Sequence, residues 1–184
     1  MPLPERPPEP CDSFLKALDA ATDEVVRLNC IGGFVVTQHY GMNRPTADVD
    51  VIELAPMAIG STLAALGTRG GVLAQKHLVY LDRVSVASLP EDYEARLSEM
   101  FPRAYSHLRL MALDPYDLAL SKLERDGRKD REDIRFLAQS VPLDIRTLKD
   151  RYEKEMRWQL GVPQREDLTL KLWIEIIEED RTSQ

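Results

Sequence analysis

Residues 32–50 read GGFVVTQHYGMNRPTADVD, and this stretch decides the architecture. Upstream, LNCI at 28–31 is short and apolar and runs into Gly32-Gly33, the pattern of a buried strand ending in a tight turn. A helix through about Tyr40, stopped by Gly41, is expected next. VDVIEL at 49–54 alternates Val49, Val51 and Leu54 with acids and reads as the next strand. Glycines at a strand-to-helix turn let backbone N–H groups come close to a phosphate, and the N-terminus of the following helix favours negative charge. Fourteen residues separate Gly33 from Asp48. Asp48 and Asp50, at i and i+2, share one face of a strand. Two such carboxylates repel unless a cation lies between them, and a hard cation such as Mg²⁺ prefers these oxygen ligands. Arg44 and Thr46 stand just before them and offer a charge and a hydroxyl to phosphate oxygens. Gly-Gly alone is usually a turn, and Asp-x-Asp alone is common on solvated loops. Their conjunction, in the order strand, Gly-Gly, helix, Arg-x-Thr-x-Asp-x-Asp, carries the functional reading.

Outward from this core, residues 1–11 are expected to be a flexible arm, since the first ten contain five prolines. Asp12 and Ser13 are good helix N-caps, and apolar residues recur at helical spacing from Phe14 to about Arg27. Pro56 starts a helix that ends near Gly70-Gly71. HLVYLDRVSVASL at 77–89 is rich in β-branched residues and carries one carboxylate with a buried look, Asp82. Pro90 to about Phe101 reads as a short amphipathic helix, and LRLMAL at 108–113 as the last strand. From Pro115 onward the pattern is helical: 115–125, 130–139, 144–160 and 166–180. The expectation is an α+β chain, with an α/β core over 12–114 and a helical C-terminal region over 115–184.

The bulk numbers bound the function. The chain has 184 residues, of which 43% are hydrophobic and 30% charged, with a formal net charge of −7. That is enough chain to bury a core without staples. The acidic balance disfavours nonspecific binding of nucleic acid over the whole surface but leaves room for a local basic patch. Cys11 and Cys30 have no metal or redox spacing, which points to a reducing compartment. The proline-rich start lacks the apolar run of a signal peptide, and no run of 18 apolar residues exists, so a cytoplasmic protein without membrane contact is expected. His39, His77 and His107 lack a zinc or dyad spacing. Ser85 and Ser121 have no Gly-x-Ser-x-Gly setting, and no P-loop lysine follows the glycines. Trp158 and Trp173 read as core or interface residues.

Two longer stretches resemble a known family. CIGGFVVTQHYGMNRPTADVDVIEL (30–54) resembles motif I of the polymerase-beta-like nucleotidyltransferase superfamily. LDPYDLALSKLERDGRKDREDIRFL (113–137) resembles the C-terminal signature of its small bacterial members. These are the AbiEii-type toxins of toxin–antitoxin systems and a further nucleotidyltransferase-like relative. That relative is the nearer, because VYLDRVSVASLPEDYEARL (79–97) resembles it too. The resemblance spans roughly residues 28–140. It implies a nucleotidyltransferase-type mixed β-sheet packed with helices and extended by a helical region.

By residue, the resemblance implies that Gly32 and Gly33 hold the triphosphate of an NTP and that Asp48 and Asp50 bind metal. Asp82 is the candidate third carboxylate, Lys122 a phosphate contact, and Asp130 and Asp133 match downstream acids. Gly33 stands where the superfamily commonly has serine. The apolar run before Lys122 half-buries it, so it needs an anionic partner, either a carboxylate or a ligand phosphate. The implied activity moves an NMP from an NTP to a hydroxyl with two Mg²⁺ ions. The acceptor is RNA, such as a tRNA end, or a protein side chain, and a cognate antitoxin is an implied partner. The alternative is a non-catalytic nucleotide- or partner-binding module on the same fold. Oligomeric state, preferred base and biological role stay open.

Overall fold

A computed structural model describes residues 5–85 and 88–182. The chain forms two compact units. One holds residues up to Ser85 together with Leu97–Leu113, and the other holds Val86–Arg96 and the residues from Asp114 onward.

The first unit is built on a mixed five-stranded sheet in the order β3-β2-β1-β5-β4. Its strands are β1 (Val26–Cys30), β2 (Asp48–Ala55), β3 (Tyr80–Arg83), β4 (Ser98–Met100) and β5 (Leu108–Ala112), and its helices are α1 (Cys11–Asp19), α2 (Gly32–Gln38), α3 (Met57–Gly67) and α4 (Val72–His77). β1 runs antiparallel to β2 and parallel to β5, β2 runs parallel to β3, and β4 runs antiparallel to β5. Alternation sorts the side chains into two faces. Val26, Leu28, Cys30, Val49, Val51, Leu81, Leu108 and Leu110 are buried, and so are Phe14, Leu15 and Leu18 of α1. The opposite face carries Asp48, Asp50, Tyr80, Asp82, Arg27, Asn29, Arg109 and Met111, as the register requires. A shift of register between Asn29 and Cys30 lets Leu54 join Val49 and Val51 on the buried face despite its even number.

α1 begins at Cys11, so Asp12 and Ser13, the expected caps, lie inside its first turn. Its N-cap position is Pro10, without a side-chain bond. Asp12 is instead buried and accepts hydrogen bonds from Tyr105 Oη at 3.0 Å and Arg6 Nη1 at 3.3 Å. At the other end of α1, Asp19 accepts the N–H groups of Ser106, His107 and Leu108 at 3.0, 2.7 and 2.8 Å. That ties the helix to the start of β5. Both cysteines are free and buried, and burial with the Asp12 and Glu9 charges pushes the Cys11 thiol up to about 12.

Three expected elements change. The helix after Pro56 ends at Gly67, three residues before Gly70 (φ +95°), and a further helix, α4, which was not expected, follows Gly71. The expected helix over 90–101 is a 3-10 turn at Tyr93–Arg96 followed by β4, because β5 offers Ser98–Met100 an edge to pair with. The β-branched run at 77–89 supplies only Tyr80–Arg83 as strand, and its residues 86 and 87 lie outside the described residues.

The second unit contains α5 (Pro115–Leu120), α6 (Arg128–Ser140), α7 (Ile145–Arg151) and α8 (Gln164–Thr182), with a π-helical turn at Tyr152–Met156 after α7. Leu120, Leu123, Ile134, Leu148, Tyr152, Met156, Trp173, Ile174 and Ile177 form its core. Asp114 caps α5, accepting the N–H groups of Tyr116 and Asp117, with Pro115 in the first turn. Asp117 is fully buried between two arginines: Arg96 donates to it at 2.8 and 3.1 Å and Arg151 at 2.9 Å. Among the described residues no helix is long and apolar enough to cross a membrane.

Candidate nucleotide site

Gly32 opens α2, two residues after β1, with φ +67°, a conformation that glycine adopts at least cost. The Ile31 N–H donates to the Asp50 carbonyl at 2.9 Å, which fixes the turn against the middle of β2. A Cβ on Gly32 would lie 2.3 Å from Asp50 Oδ2. Asp50 therefore packs directly over the glycine turn, and its Oδ2 accepts the Phe34 N–H at 3.4 Å. A Cβ on Gly33 would lie 3.3 Å from Arg44 Nη2 and 4.0 Å from Asp50 Oδ2, so the guanidinium and the carboxylate both reach this turn. Thr46 donates its hydroxyl to the Asp48 carbonyl at 3.2 Å and holds the entry to β2. Gly32, Gly33, Arg44, Thr46, Asp48 and Asp50 thus belong to one locality, assembled by one strand-turn-helix and the strand beside it.

β3 brings the third carboxylate alongside. In its parallel register with β2, Tyr80 neighbours Asp48 and Asp82 neighbours Asp50. Directly paired residues in a parallel ladder project to the same side, so Asp48, Asp50 and Asp82 share one face. Asp82 is exposed rather than buried as its sequence setting suggested, since the open side of β3 faces away from Leu81 and the core.

Two residues without a sequence signal join this face. Tyr80 stands beside Asp48 in the register, and the neighbouring Asp48 carboxylate, with some burial, raises the phenol's pKa. The Arg69 guanidinium lies over the Tyr80 ring at 4.0 Å from its centroid and donates to the Tyr80 hydroxyl.

Lys122, Asp130 and Asp133 belong to the second unit and form an ion cluster there. Lys122 is 2% exposed, and its Nζ lies 2.8 Å from Asp133 Oδ2 and 3.5 Å from Asp130 Oδ1. Of the two partners that its sequence allowed, the carboxylates are the ones it contacts. Asp130 also accepts Arg125 at 2.8 and 2.5 Å and the Gly127 N–H at 2.9 Å, which makes it the cap of α6. Burial alone would raise the Asp130 pKa. The Arg125 bonds, the Lys122 charge and the Gly127 N–H outweigh it and hold the carboxyl below its ordinary range.

The donor set fits a hard cation in kind, because three carboxylates on one face would bind Mg²⁺ through oxygen. Their side chains are turned to protein partners, Asp50 to the Phe34 N–H and Asp48 to Tyr80. Among the described residues no three His, Cys, Asp or Glu side chains are gathered at metal-binding range.

No curated protein and no solved structure gives a significant match to the chain. Residues 10–181 match the family described as Nucleotidyltransferase of unknown function (DUF6036). With a glycine turn under an Asp-x-Asp strand in a mixed sheet, and a match along nearly its whole length, the chain belongs to this nucleotidyltransferase family.

Proposed function

We propose that the protein transfers an NMP from an NTP to a hydroxyl of RNA or protein. The observation that carries this reading is the packing of Asp50 on the Gly32-Gly33 turn, with Asp48 and Asp82 registered on the same sheet face. The backbone of the turn and Arg44 would cradle the triphosphate. Asp48, Asp50 and Asp82 would hold two Mg²⁺ ions, which supply charge neutralisation for the triphosphate and the leaving pyrophosphate. The acceptor hydroxyl oxygen forms a bond to the α-phosphorus, the bond from that phosphorus to the β-phosphate oxygen breaks, and pyrophosphate leaves. The hydroxyl proton passes to a carboxylate of the trio, with the exposed Asp82 best able to take it. The RNA acceptor class includes tRNA ends. A role as the toxin of a toxin–antitoxin pair, with a cognate antitoxin, follows from the resemblance of the 113–137 stretch.

A second reading, a binding module that holds nucleotide without turnover, draws support from the ungathered carboxylates. Incubation with each NTP labelled at the α-phosphate, together with Mg²⁺ and total RNA, separates the two. Label on RNA or on protein supports transfer. Saturable NTP binding without label on any macromolecule supports the binding module.

A further inference from the structure

We infer that Arg69 is a phosphate-binding residue for the nucleoside triphosphate, and that Tyr80 is the positioning residue that holds both Arg69 and Asp48 in place. This rests on the nucleotide reading of the site given above.

The geometry starts from the edge of the sheet. Thr68 bridges Leu81 in parallel fashion, so the loop after α3 is fixed alongside β3 and Arg69 leaves it beside Tyr80. The Arg69 Cζ lies over the Tyr80 ring, 4.0 Å from its centroid, with one guanidinium N–H on the Tyr80 hydroxyl. Tyr80 also stands beside Asp48 across the β2–β3 ladder, on the same face of the sheet. Neighbouring strands lie about 4.8 Å apart, and Tyr80 is the registered neighbour of Asp48. The guanidinium is therefore one side chain away from the proposed metal-binding carboxylate.

Three features suit it to phosphate. The ring contact holds the guanidinium through one N–H and leaves its other donors for phosphate oxygens, which a guanidinium meets in pairs. The residue is exposed, and none of the salt bridges among the described residues involves it. It also answers a charge problem: a triphosphate brought to a face carrying Asp48, Asp50 and Asp82 needs cationic groups at its rim. Arg44 stands at the glycine side of β2, and Arg69 stands at the β3 side. Tyr80 links the two functions, because its hydroxyl takes the Arg69 N–H and its place in the ladder packs it beside Asp48.

The test is calorimetric titration of the full chain with each of the four α,β-methylene NTPs in the presence of Mg²⁺, alongside steady-state transfer kinetics. Arg69→Met should weaken NTP binding roughly ten- to a hundredfold, the size of a lost charge-assisted hydrogen bond, with an unchanged Tm. Arg69→Lys should restore part of the affinity. Tyr80→Phe keeps the stacking ring, so NTP affinity should stay near wild type while kcat falls. Tyr80→Ala should lose both. If the wild type binds the analogues and Arg69→Met binds them equally well, the role of Arg69 is overturned and the site reading stands. If Tyr80→Phe turns over at the wild-type rate, the positioning role is overturned. If the wild type binds none of the four analogues, the nucleotide reading falls and this inference with it. Should Arg69→Met not fold, Arg69→Lys carries the comparison, and an unchanged affinity there contradicts the paired phosphate contact.

Discussion

Gly32 holds φ +67° and leaves no room for a Cβ, which would stand 2.3 Å from Asp50 Oδ2. Gly32→Ala should therefore do two separable things. The left-handed backbone costs about 1–2 kcal/mol with a side chain present, which thermal unfolding would read as a modest fall in Tm. The displaced Asp50 carboxylate should cost transfer activity about a hundredfold, as a misplacement on the ångström scale does. A variant with lowered Tm and undiminished transfer would separate the turn from the chemistry. At this scale the glycine turn and the Asp-x-Asp were legible because each residue type is demanded by local backbone or charge. Arg69 and Tyr80 were not legible. A stacked arginine in a loop and a tyrosine in an edge strand carry no periodicity, and only the register of β3 brings them to Asp48.

Among the elements, the turn between α5 and α6 shows what a buried lysine does when carboxylates surround it. Lys122 is covered by the apolar residues around it and bonds Asp133, while Asp130 shares its charge with Lys122 and Arg125. Lys122→Ala would leave buried carboxylates uncompensated and should destabilise the helical unit by about 3–5 kcal/mol, measured by denaturant unfolding. NTP affinity in the folded variant should be unchanged. A stable Lys122→Ala protein with weakened NTP binding would return this lysine to the nucleotide site. The same scale shows where sequence patterns run out. β1, β2 and β5 announce themselves by apolar alternation between turn residues. β4 does not, because three residues become strand only when β5 presents an edge. The helix expected after Pro56 stops close to the glycines that mark its end, but α4, the six residues that follow Gly71, is too short a run to show a helical period.

Across the whole molecule, acidic side chains fasten both units, and this sets a pH dependence. Burial would raise Asp12 and Asp19, but bonds from Lys16, Tyr105 and Arg6 to the first, and from three backbone N–H groups to the second, bring them below the ordinary 3.8. In the helical unit the Arg131 bond leads in lowering Asp126, and Asp130 is lowered as described. A carboxyl depressed on folding stabilises the native state above its unfolded pKa, and that contribution is lost as pH falls through the folded value. Asp117 runs the other way: burial and the Asp114 charge raise it against Arg96 and Arg151, so its protonation offsets part of the loss. Burial also lowers the His39 pKa from its ordinary 6.5, so Tm should slip slightly as pH falls below 6.5. It should decline further as pH passes below 3.8, where these four carboxyls outweigh Asp117. A Tm that rises on acidification would contradict these assignments.

The α+β plan was readable at this scale from the order of apolar periods, and the mixed sheet was implied by the family resemblance. The assignment of residues 86–96 to the helical unit was not, because that segment's partners lie far along the chain, as in the bond from Gln159 to the Leu89 carbonyl. The claim that organises the account is that Asp48 and Asp50 serve nucleotidyl transfer. The most direct measurement compares wild type with the Asp48→Asn, Asp50→Asn double variant, each incubated with α-labelled NTPs, Mg²⁺ and total RNA. The amides nearly keep the carboxylates' volume and relieve their mutual repulsion, so the variant should fold with a Tm equal to or above that of the metal-free wild type. The account predicts label on RNA or protein with the wild type and none with the folded double variant. Labelling by the double variant at the wild-type rate, or no label from the wild type with any NTP, would contradict it.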